Sequence, residues 1–279
     1  MTPQATLTPL DDERPPDAAA CESFRRRGHA LVRGLASAAE IAAWRPAILS
    51  VCERMKYETR PLEERDTYGK AFLQYWGLSD EDATVRRFSL ARRFARVAAD
   101  LMGVDEVRLY HDQALLKEPG GGPTPFHQDQ YYWPIDTLDT VTMWMPLVDV
   151  PREVGSMTFV DGSHREGMLG KFEISDESER FFGRMIKERG LATHSYGAMS
   201  AGDATFHAGW TMHGAPPNPS RSLREVMTII YVSADARMTV PDEHQSDEAA
   251  MWLRGLAPGD VVSGPLHPVT WSCSPSPSG

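Results

Sequence analysis

The spacing of apolar residues predicts helices in the first third of the chain. Residues 38–54 carry apolar side chains near helical spacing, and Ser37 is a plausible cap for the helix start. Residues 90–102 repeat the pattern, and Gly103 supplies a stop. These two helices precede every residue that is a candidate for chemistry.

After residue 104 the pattern changes to short segments rich in Val, Thr, Met and Tyr, separated by Gly, Pro and Asp. This texture is typical of antiparallel strands. Strands are predicted at residues 107–117, 140–148, 156–160, 203–207 and 224–233. Helices followed by such a series favour a mainly β fold with flanking helices, a double-stranded β-helix or cupin-like jelly roll.

The chain is predicted to form one catalytic domain, residues 19–271, between two disordered tails. Residues 1–18 and 272–279 are rich in Pro, Asp, Thr or Ser and offer little apolar surface to offset the entropy of ordering. Residues 163–196 interrupt the strands and contain a predicted helix, 176–189. Because long insertions between barrel strands often cover active sites, this one is predicted to act as a lid.

The amino-acid composition and net charge limit the classes of function that are expected for the chain. With 279 residues, 41% of them hydrophobic, the chain can bury a sizeable core. A net charge of −10 opposes binding to nucleic acid or to a membrane surface, since both are polyanions. Three widely spaced cysteines do not form a disulfide framework, and no signal-peptide pattern opens the sequence, so a cytoplasmic location is expected. Oligomeric state is left open.

The main chemical motif is H-x-D at residues 127–129. Residues two apart on a strand point to the same side, so one imidazole and one carboxylate can face one metal. Composition alone would supply about 0.6 such pairs, and 164–166 is a near match. The motif gains weight because His213 lies 86 residues later and Arg224 follows eleven residues after that. Two His and one carboxylate are the ligand set of Fe(II) oxygenases.

Together these features resemble the phytanoyl-CoA dioxygenase family. The resemblance covers nearly the whole chain and extends through residues 28–35, 115–120 and 155–164. It implies a double-stranded β-helix that binds Fe(II). It also implies oxidation of a substrate while 2-oxoglutarate and O2 are converted to succinate and CO2.

By this resemblance, His127, Asp129 and His213 are the metal ligands and catalytic centre, and Arg224 receives the distal carboxylate of 2-oxoglutarate. A planar guanidinium suits that task because it can grip a carboxylate with two hydrogen bonds. Arg224 also begins an apolar strand face, where a charge needs an anionic partner.

Further co-substrate contacts are predicted with less support from the sequence. Gln113, Lys117 and Trp144 occupy positions similar to family residues that contact the co-substrate. Some relatives carry a hydroxyl residue two positions after the distal His, where this chain has Ala215. The polar contacts to 2-oxoglutarate are therefore incompletely assigned.

Each assignment has a competitor. His207 is an alternative third ligand, although a core histidine in a strand is the favoured interpretation. His164 is interpreted as a turn residue. Arg221 competes with Arg224 but lies in a turn-like run after Asn218.

Aromatic residues beside the motif are candidates for the substrate pocket. Tyr131, Tyr132 and Trp133 would supply an apolar, stacking wall close to a metal, although packing is an equal interpretation. Phe72 and Gln74 resemble a stretch that approaches the substrate in related enzymes, and core packing again explains them equally well.

The leading hypothesis is an Fe(II)- and 2-oxoglutarate-dependent dioxygenase that hydroxylates a small hydrophobic or specialised metabolite. A halogenase is disfavoured because it replaces the carboxylate ligand by a small residue, and Asp129 is present. A non-oxidative, cupin-type isomerase or lyase is the alternative, since the fold hosts many reactions. A binding module that has lost turnover is the third, disfavoured by the intact ligand set.

Overall fold

The computed structural model describes residues 7–154 and 156–273, and most of its strands fall into two sheets. The strands are β1 His29–Val32, β2 Leu73–Trp76, β3 Glu106–Lys117, β4 Thr124–His127, β5 Thr140–Pro146, β6 Thr158–Val160, β7 Thr193–Ser195, β8 Ala204–Ala208, β9 His213–Ala215, β10 Arg224–Ser233 and β11 Val269–Ser272.

The larger sheet has the order β1-β8-β5-β10-β3-β11, with β2 also paired to β3, and the smaller has the order β4-β9-β6-β7. All recorded strand pairs are antiparallel. A cavity between the sheets is lined by residues of both. The architecture is the predicted double-stranded β-helix, so the fold class is confirmed.

The described residues contain eight α-helices. They are α1 Ala18–Arg27, α2 Ala38–Arg54, α3 Thr67–Ala71, α4 Leu78–Glu81, α5 Ala83–Ser89, α6 Arg92–Met102, α7 Asp176–Arg189 and α8 Ser246–Trp252. Ser37 and Glu40 form a capping box at the start of α2, which satisfies two backbone N–H groups reciprocally. The predicted helix at 90–102 begins at Arg92, because the extended backbone of Ala91 separates it from α5.

Strand alternation divides the larger sheet into two chemically different faces. Met143 and Met227 point away from the cavity and pack in the main hydrophobic core with Trp44, Ile48 and Phe94 of the N-terminal helices. Their neighbours on β5 and β10 point inward to the cavity. Because side chains alternate along a strand, helix packing on one face fixes which residues the other face offers to a site.

The observed strands agree with the predictions except at their ends. β10 has the predicted bounds, β3 begins one residue early, and β8 is shifted by one. The strands predicted at 140–148 and 156–160 are shorter, ending at Pro146 and beginning at Thr158.

The predicted insertion at 163–196 packs on the smaller sheet. Its helix α7 has the predicted bounds, and Gly190 ends it in the left-handed conformation, which glycine adopts without strain. Phe182 packs with Val160 and Met212, and the Glu179 carboxylate accepts a hydrogen bond of 2.9 Å from the Phe126 N–H. The insertion is thus attached to the strand that carries His127, while its function as a lid stays a prediction.

The predicted tails are wrong for the parts that the structure describes. Leu10 is buried in the main core, and Asp12 forms an ion pair with the buried Arg93 of α6. At the other end, Ser272 belongs to β11, and the Cys273 N–H donates to the Asp105 carbonyl. Residues 1–6 and 274–279 lie outside the described residues. Among the helices that are described, none has the length and apolarity needed to span a bilayer.

Candidate metal centre and co-substrate site

The structure brings His127, Asp129 and His213 together. His127 ends β4, Asp129 begins the 3-10 turn that follows, and His213 begins β9 directly opposite His127 in the sheet register. The Nε2 atoms of the two histidines lie 3.4 and 3.5 Å from Asp129 Oδ1. One donor atom from each residue lies within 4.8 Å of the others, an arrangement that can hold one metal ion.

Backbone hydrogen bonds orient both imidazoles. His127 Nδ1 lies 2.8 Å from the Pro125 carbonyl, and His213 Nδ1 lies 2.9 Å from the Thr211 carbonyl. Since carbonyls only accept, each Nδ1 carries the proton and each Nε2 presents its lone pair. Burial also lowers the pKa of His213 well below its usual value, which keeps this imidazole neutral, as a metal ligand must be.

Two residues of the larger sheet fix the Asp129 carboxylate. Thr142 of β5 donates to Oδ2 at 2.8 Å, and His207 of β8 lies 3.0 Å from the same oxygen. Burial raises the pKa of Asp129, but the three neighbouring histidines, His213, His127 and His207, hold this pKa well below its usual value. Oδ2 is thus occupied, while Oδ1 faces the ligand histidines.

Gln128, the middle residue of the motif, points to the opposite side. Its amide donates to the carbonyls of Gly167 and Trp210 at 2.8 and 2.7 Å and accepts from the Leu169 N–H. The central side chain therefore holds the insertion against the strand while its neighbours face the cavity.

The glycine after the distal histidine is required by close packing. A Cβ atom on Gly214 would lie 2.8 Å from the Thr124 carbonyl on the adjacent strand. Any larger residue would push β4 and β9 apart and separate His127 from His213.

Arg224 lies at the end of β10 with its side chain toward the cavity. It is 3% exposed, and its Nε and Nη1 atoms have no hydrogen-bond partner among the described residues. Its guanidinium lies 5.4 Å from the Trp144 ring centroid. Burial lowers the pKa of Arg224 to about 10, so the group is charged at neutral pH. A buried, unpartnered guanidinium that lines a cavity fits an anionic ligand.

Lys117 is a second buried basic residue, in register with Arg224 across β3 and β10. Its amino group donates to the Gly122 carbonyl and to Thr124 Oγ1, the latter at 3.3 Å. Burial and the adjacent Arg224 lower the pKa of Lys117 to about 6. Lys117 does not line the cavity, whereas Thr124, which it contacts, does, so its contact with the co-substrate stays a prediction.

The cavity has a volume of about 370 Å³ and two distinct regions. We call the first the floor, formed by residues on strands or directly beside them around the histidine–aspartate cluster. We call the second the mouth, formed by residues near the exposed rim, most of them on helices and loops. The floor residues are His127, Asp129, Thr142, Trp144, His207, His213 and Arg224. The mouth residues are Phe72, Trp76, Tyr132, Ile174, Glu248 and Met251.

Most predicted contact residues line this cavity. Those that do so are Gln113, Trp144, Tyr132, Trp133, Phe72 and Gln74. Tyr131 does not, because its ring stacks on His244 at 4.1 Å and lines a separate surface depression. The prediction that Tyr131 forms part of this cavity wall is therefore wrong.

The competitors lie apart from the metal centre or behind it. His207 hydrogen-bonds to Asp129 and is not part of the three-residue cluster. His164 lies in a 3-10 turn beside Gly28, and Arg221 is exposed in the turn before β10.

The amino-acid sequence alone did not reveal the supporting functions of Thr142 and His207, nor the cavity residues His111 and Glu248. A signal existed for Thr142, since it shares a strand face with Trp144 and pairs with His207 in the register. No comparable periodicity points to Glu248, which lies on a seven-residue helix near the end of the chain.

Comparison with known proteins adds an independent observation. The model of the family described as "Phytanoyl-CoA dioxygenase (PhyH)" matches residues 24–226. The chain belongs to the phytanoyl-CoA dioxygenase family. The match includes β4, β9 and the first residues of β10, and therefore all three residues of the cluster and Arg224.

The proteins similar to this chain include enzymes named for different reactions. A probable alpha-ketoglutarate-dependent hypophosphite dioxygenase of Stutzerimonas stutzeri is 27% identical over 135 residues, 47% of each chain. The carbocyclase SnoK of nogalamycin biosynthesis has a TM-score of 0.74 at 26% identity, over 91% of this chain and 96% of that one.

The epimerase SnoN, solved with Fe3+, alpha-ketoglutarate and nogalamycin RO, also has a TM-score of 0.74 at 26% identity, over 90% of this chain and 97% of that one. The chain spans about half the length of the curated relatives it matches.

Proposed function

We propose that this chain is an Fe(II)- and 2-oxoglutarate-dependent dioxygenase that hydroxylates a small hydrophobic or specialised metabolite. The observation that carries the proposal is a buried, unpartnered Arg224 in the same cavity as a two-histidine, one-aspartate cluster. The first needs an anion and the second can hold Fe(II), which are the two requirements of this chemistry.

In this proposal His127, Asp129 and His213 hold iron through two neutral imidazole nitrogens and one carboxylate oxygen. Bound Fe(II) supplies the oxidative chemistry, in which 2-oxoglutarate and O2 yield succinate and CO2 as the substrate is hydroxylated. Thr142 and His207 hold Asp129 in one orientation, so the open side of the metal centre faces the cavity.

Arg224 anchors the distal carboxylate of 2-oxoglutarate. Its Nε and Nη1 atoms have no partner within the described residues, and a planar guanidinium can grip a carboxylate with two hydrogen bonds. The buried Lys117 lies behind it, and the Thr124 hydroxyl, which contacts Lys117, lies at the cavity surface. Thr124 can supply the polar contact that Ala215 lacks, and Gln113 and Trp144 complete the surroundings.

A non-oxidative isomerase or lyase has no use for a buried anchor of this kind. The solved neighbours support the oxidative proposal, since SnoK and SnoN are named as non-heme alpha-ketoglutarate-dependent enzymes. Their carbocyclase and epimerase activities belong to those proteins. For this chain we propose hydroxylation, because this reaction needs no additional positioning of the substrate.

The expected partner is a small organic molecule, because the cavity is enclosed by aromatic residues and has a volume of about 370 Å³. We place the enzyme in the cytoplasm. Its three cysteines are free thiols in the structure, which suits a reducing compartment.

Succinate formation from 2-oxoglutarate in air tests the proposal. The purified protein with Fe(II) is expected to produce succinate slowly without substrate, and His127→Ala is expected to abolish this. His164→Ala is the matched control, because it removes the histidine of the near-match motif outside the metal centre and is expected to retain turnover. If the parent protein produces no succinate, or if both variants are equally active, the proposal is wrong.

A further inference from the structure

A second polar group faces the cavity from its mouth. Glu248 of α8 lines the cavity, and its Oε1 atom is buried without a hydrogen-bond partner among the described residues. The Nε2 atom of His111 on β3 lies 3.6 Å away, just beyond hydrogen-bond distance. A buried carboxyl group without a partner costs free energy, so Glu248 is suited to a hydrogen-bond partner that a ligand brings.

His111 is unable to supply the missing charge. Its ring stacks on Trp252 with centroids 4.8 Å apart, and burial lowers the pKa of His111 to about 3. The imidazole is therefore neutral and can only orient the carboxylate. Burial, and to a lesser extent the Asp129 charge, raise the pKa of Glu248 to about 8, so the carboxyl group is largely protonated at neutral pH until a cation pairs with it.

The surroundings of Glu248 are aromatic and apolar. Trp133, Tyr132, Phe72 and Met251 line the same cavity, and Trp76 is 36% exposed at its rim. Apolar walls beside the buried Glu248 carboxyl group, with the exposed Asp247 carboxylate next to it on the lining, favour a ligand with a ring-sized apolar body and one basic group, which also gains from the faces of the aromatic rings.

We propose that Glu248, oriented by His111, binds the protonated amino group of a substrate whose apolar ring system lies against Trp133 and Met251. This inference rests on the proposed function, because it identifies the substrate class for that same cavity.

Charge distribution favours an amine over the alternatives. The floor offers Arg224, which the proposed function pairs with a dicarboxylate, whereas the mouth offers Glu248. A hydroxyl group would return one hydrogen bond but would bring no positive charge to stabilise the ionised carboxylate, and an anionic substrate would bring a charge of the wrong sign. An amine returns both the hydrogen bond and the charge.

Three probes with the same indole body test this choice: tryptamine, tryptophol and indole-3-propionate. Binding is measured by saturation-transfer NMR on protein loaded with Zn(II) and 2-oxoglutarate, since Zn(II) is diamagnetic and accepts the same ligands. We expect tryptamine to bind about tenfold or more tightly than tryptophol, the usual range for a hydrogen bond to a charged group.

Variants separate Glu248 from its surroundings. Glu248→Gln is expected to remove the preference for tryptamine, whereas Glu243→Gln, which removes the same charge from an exposed residue outside the cavity lining, is expected to retain it. Glu248→Asp keeps the charge on a shorter side chain and is expected to weaken the preference without abolishing it, which covers the case in which Glu248→Gln fails to fold.

Several results would overturn the inference. They are equal affinity for the three probes, a preference for tryptophol, no binding of tryptamine by the parent protein, or an equal loss in Glu248→Gln and Glu243→Gln. The anaerobic spectrum with Fe(II) and 2-oxoglutarate is recorded on the same parent protein. If the chelate forms but the amine preference is absent, the inference alone fails, whereas absence of the chelate contradicts the proposed function.

Discussion

The floor and the mouth of the cavity are built by different means. Floor residues lie on paired strands or directly beside them. Among His127, Asp129 and His213, almost every polar side-chain atom has a partner; Asp129 Oδ2, for example, is held by Thr142 and His207. Mouth residues come from four segments far apart in sequence, and Glu248 Oε1 is unpartnered. The floor is thus preorganised for one reaction, while the mouth can change without disturbing it.

Removal of the carboxylate ligand should have the largest effect on the floor. Asp129→Ala deletes one of three donors, and loss of groups that merely support a ligand already costs about 10–100-fold in metal affinity. We therefore expect Fe(II) affinity to fall by more than about 100-fold, measured by anaerobic titration. Asp247→Ala at the exposed rim is the control and should bind iron normally. Similar affinities for the two variants would contradict the assignment of Asp129.

A smaller effect is expected from the residue that orients this ligand. Thr142→Val keeps the shape of the side chain but removes the hydrogen bond to Asp129, so Fe(II) affinity should fall by about tenfold. Thr142→Ser keeps the hydroxyl and should restore most of the affinity. If serine and valine behave alike, packing rather than the hydrogen bond explains the position.

The mouth should show a stability effect that depends on pH. Since the folded pKa of Glu248 is about 8 and its ordinary value is 4.5, folding is penalised increasingly as pH rises from 4.5 to 8. Glu248→Gln lacks this penalty. It should melt higher than the parent at pH 8, by about 2–4 °C for each kcal/mol relieved, and equally at pH 4.5. A difference independent of pH would contradict the burial of an unpaired carboxyl.

The smallest effect concerns the contact between the mouth and the insertion. Tyr132 OH accepts a hydrogen bond of 3.0 Å from the Ile174 N–H. Tyr132→Phe should cost about 1 kcal/mol and accelerate hydrogen exchange in residues 163–196, with β10 unaffected. Unchanged exchange in the insertion would show that this bond does not hold it over the cavity.

The same division explains what the sequence could reveal. α2, α7 and β10 were predicted with their observed bounds because each has a long apolar period or clear capping residues. The metal-binding residues His127, Asp129 and His213 were predicted because the H-x-D motif, followed by His213 and Arg224, resembles the family. The structure places His127 and His213 opposite each other on adjacent strands. Short-range pattern is sufficient where the structure is regular.

Regions defined by long-range contacts escaped prediction. Leu10 lies in a segment rich in polar residues and prolines, and contact with the distant helix α6 helps to place it in the core. Glu248 and His111 are far apart in sequence, and only the packing of α8 beside β3 brings them together. The exclusion of Tyr131 from the cavity likewise depends on His244, more than a hundred residues later.

Anaerobic titration of 2-oxoglutarate into the Fe(II)-loaded parent protein and into Arg224→Ala tests the central claim most directly. The parent should develop the weak visible charge-transfer band of the chelate. Arg224→Ala should need a far higher 2-oxoglutarate concentration, with iron affinity almost unchanged, because it removes the anchor and leaves His127, Asp129 and His213 in place. Absence of the band in the parent, or equal losses of iron and 2-oxoglutarate in the variant, would contradict this assignment.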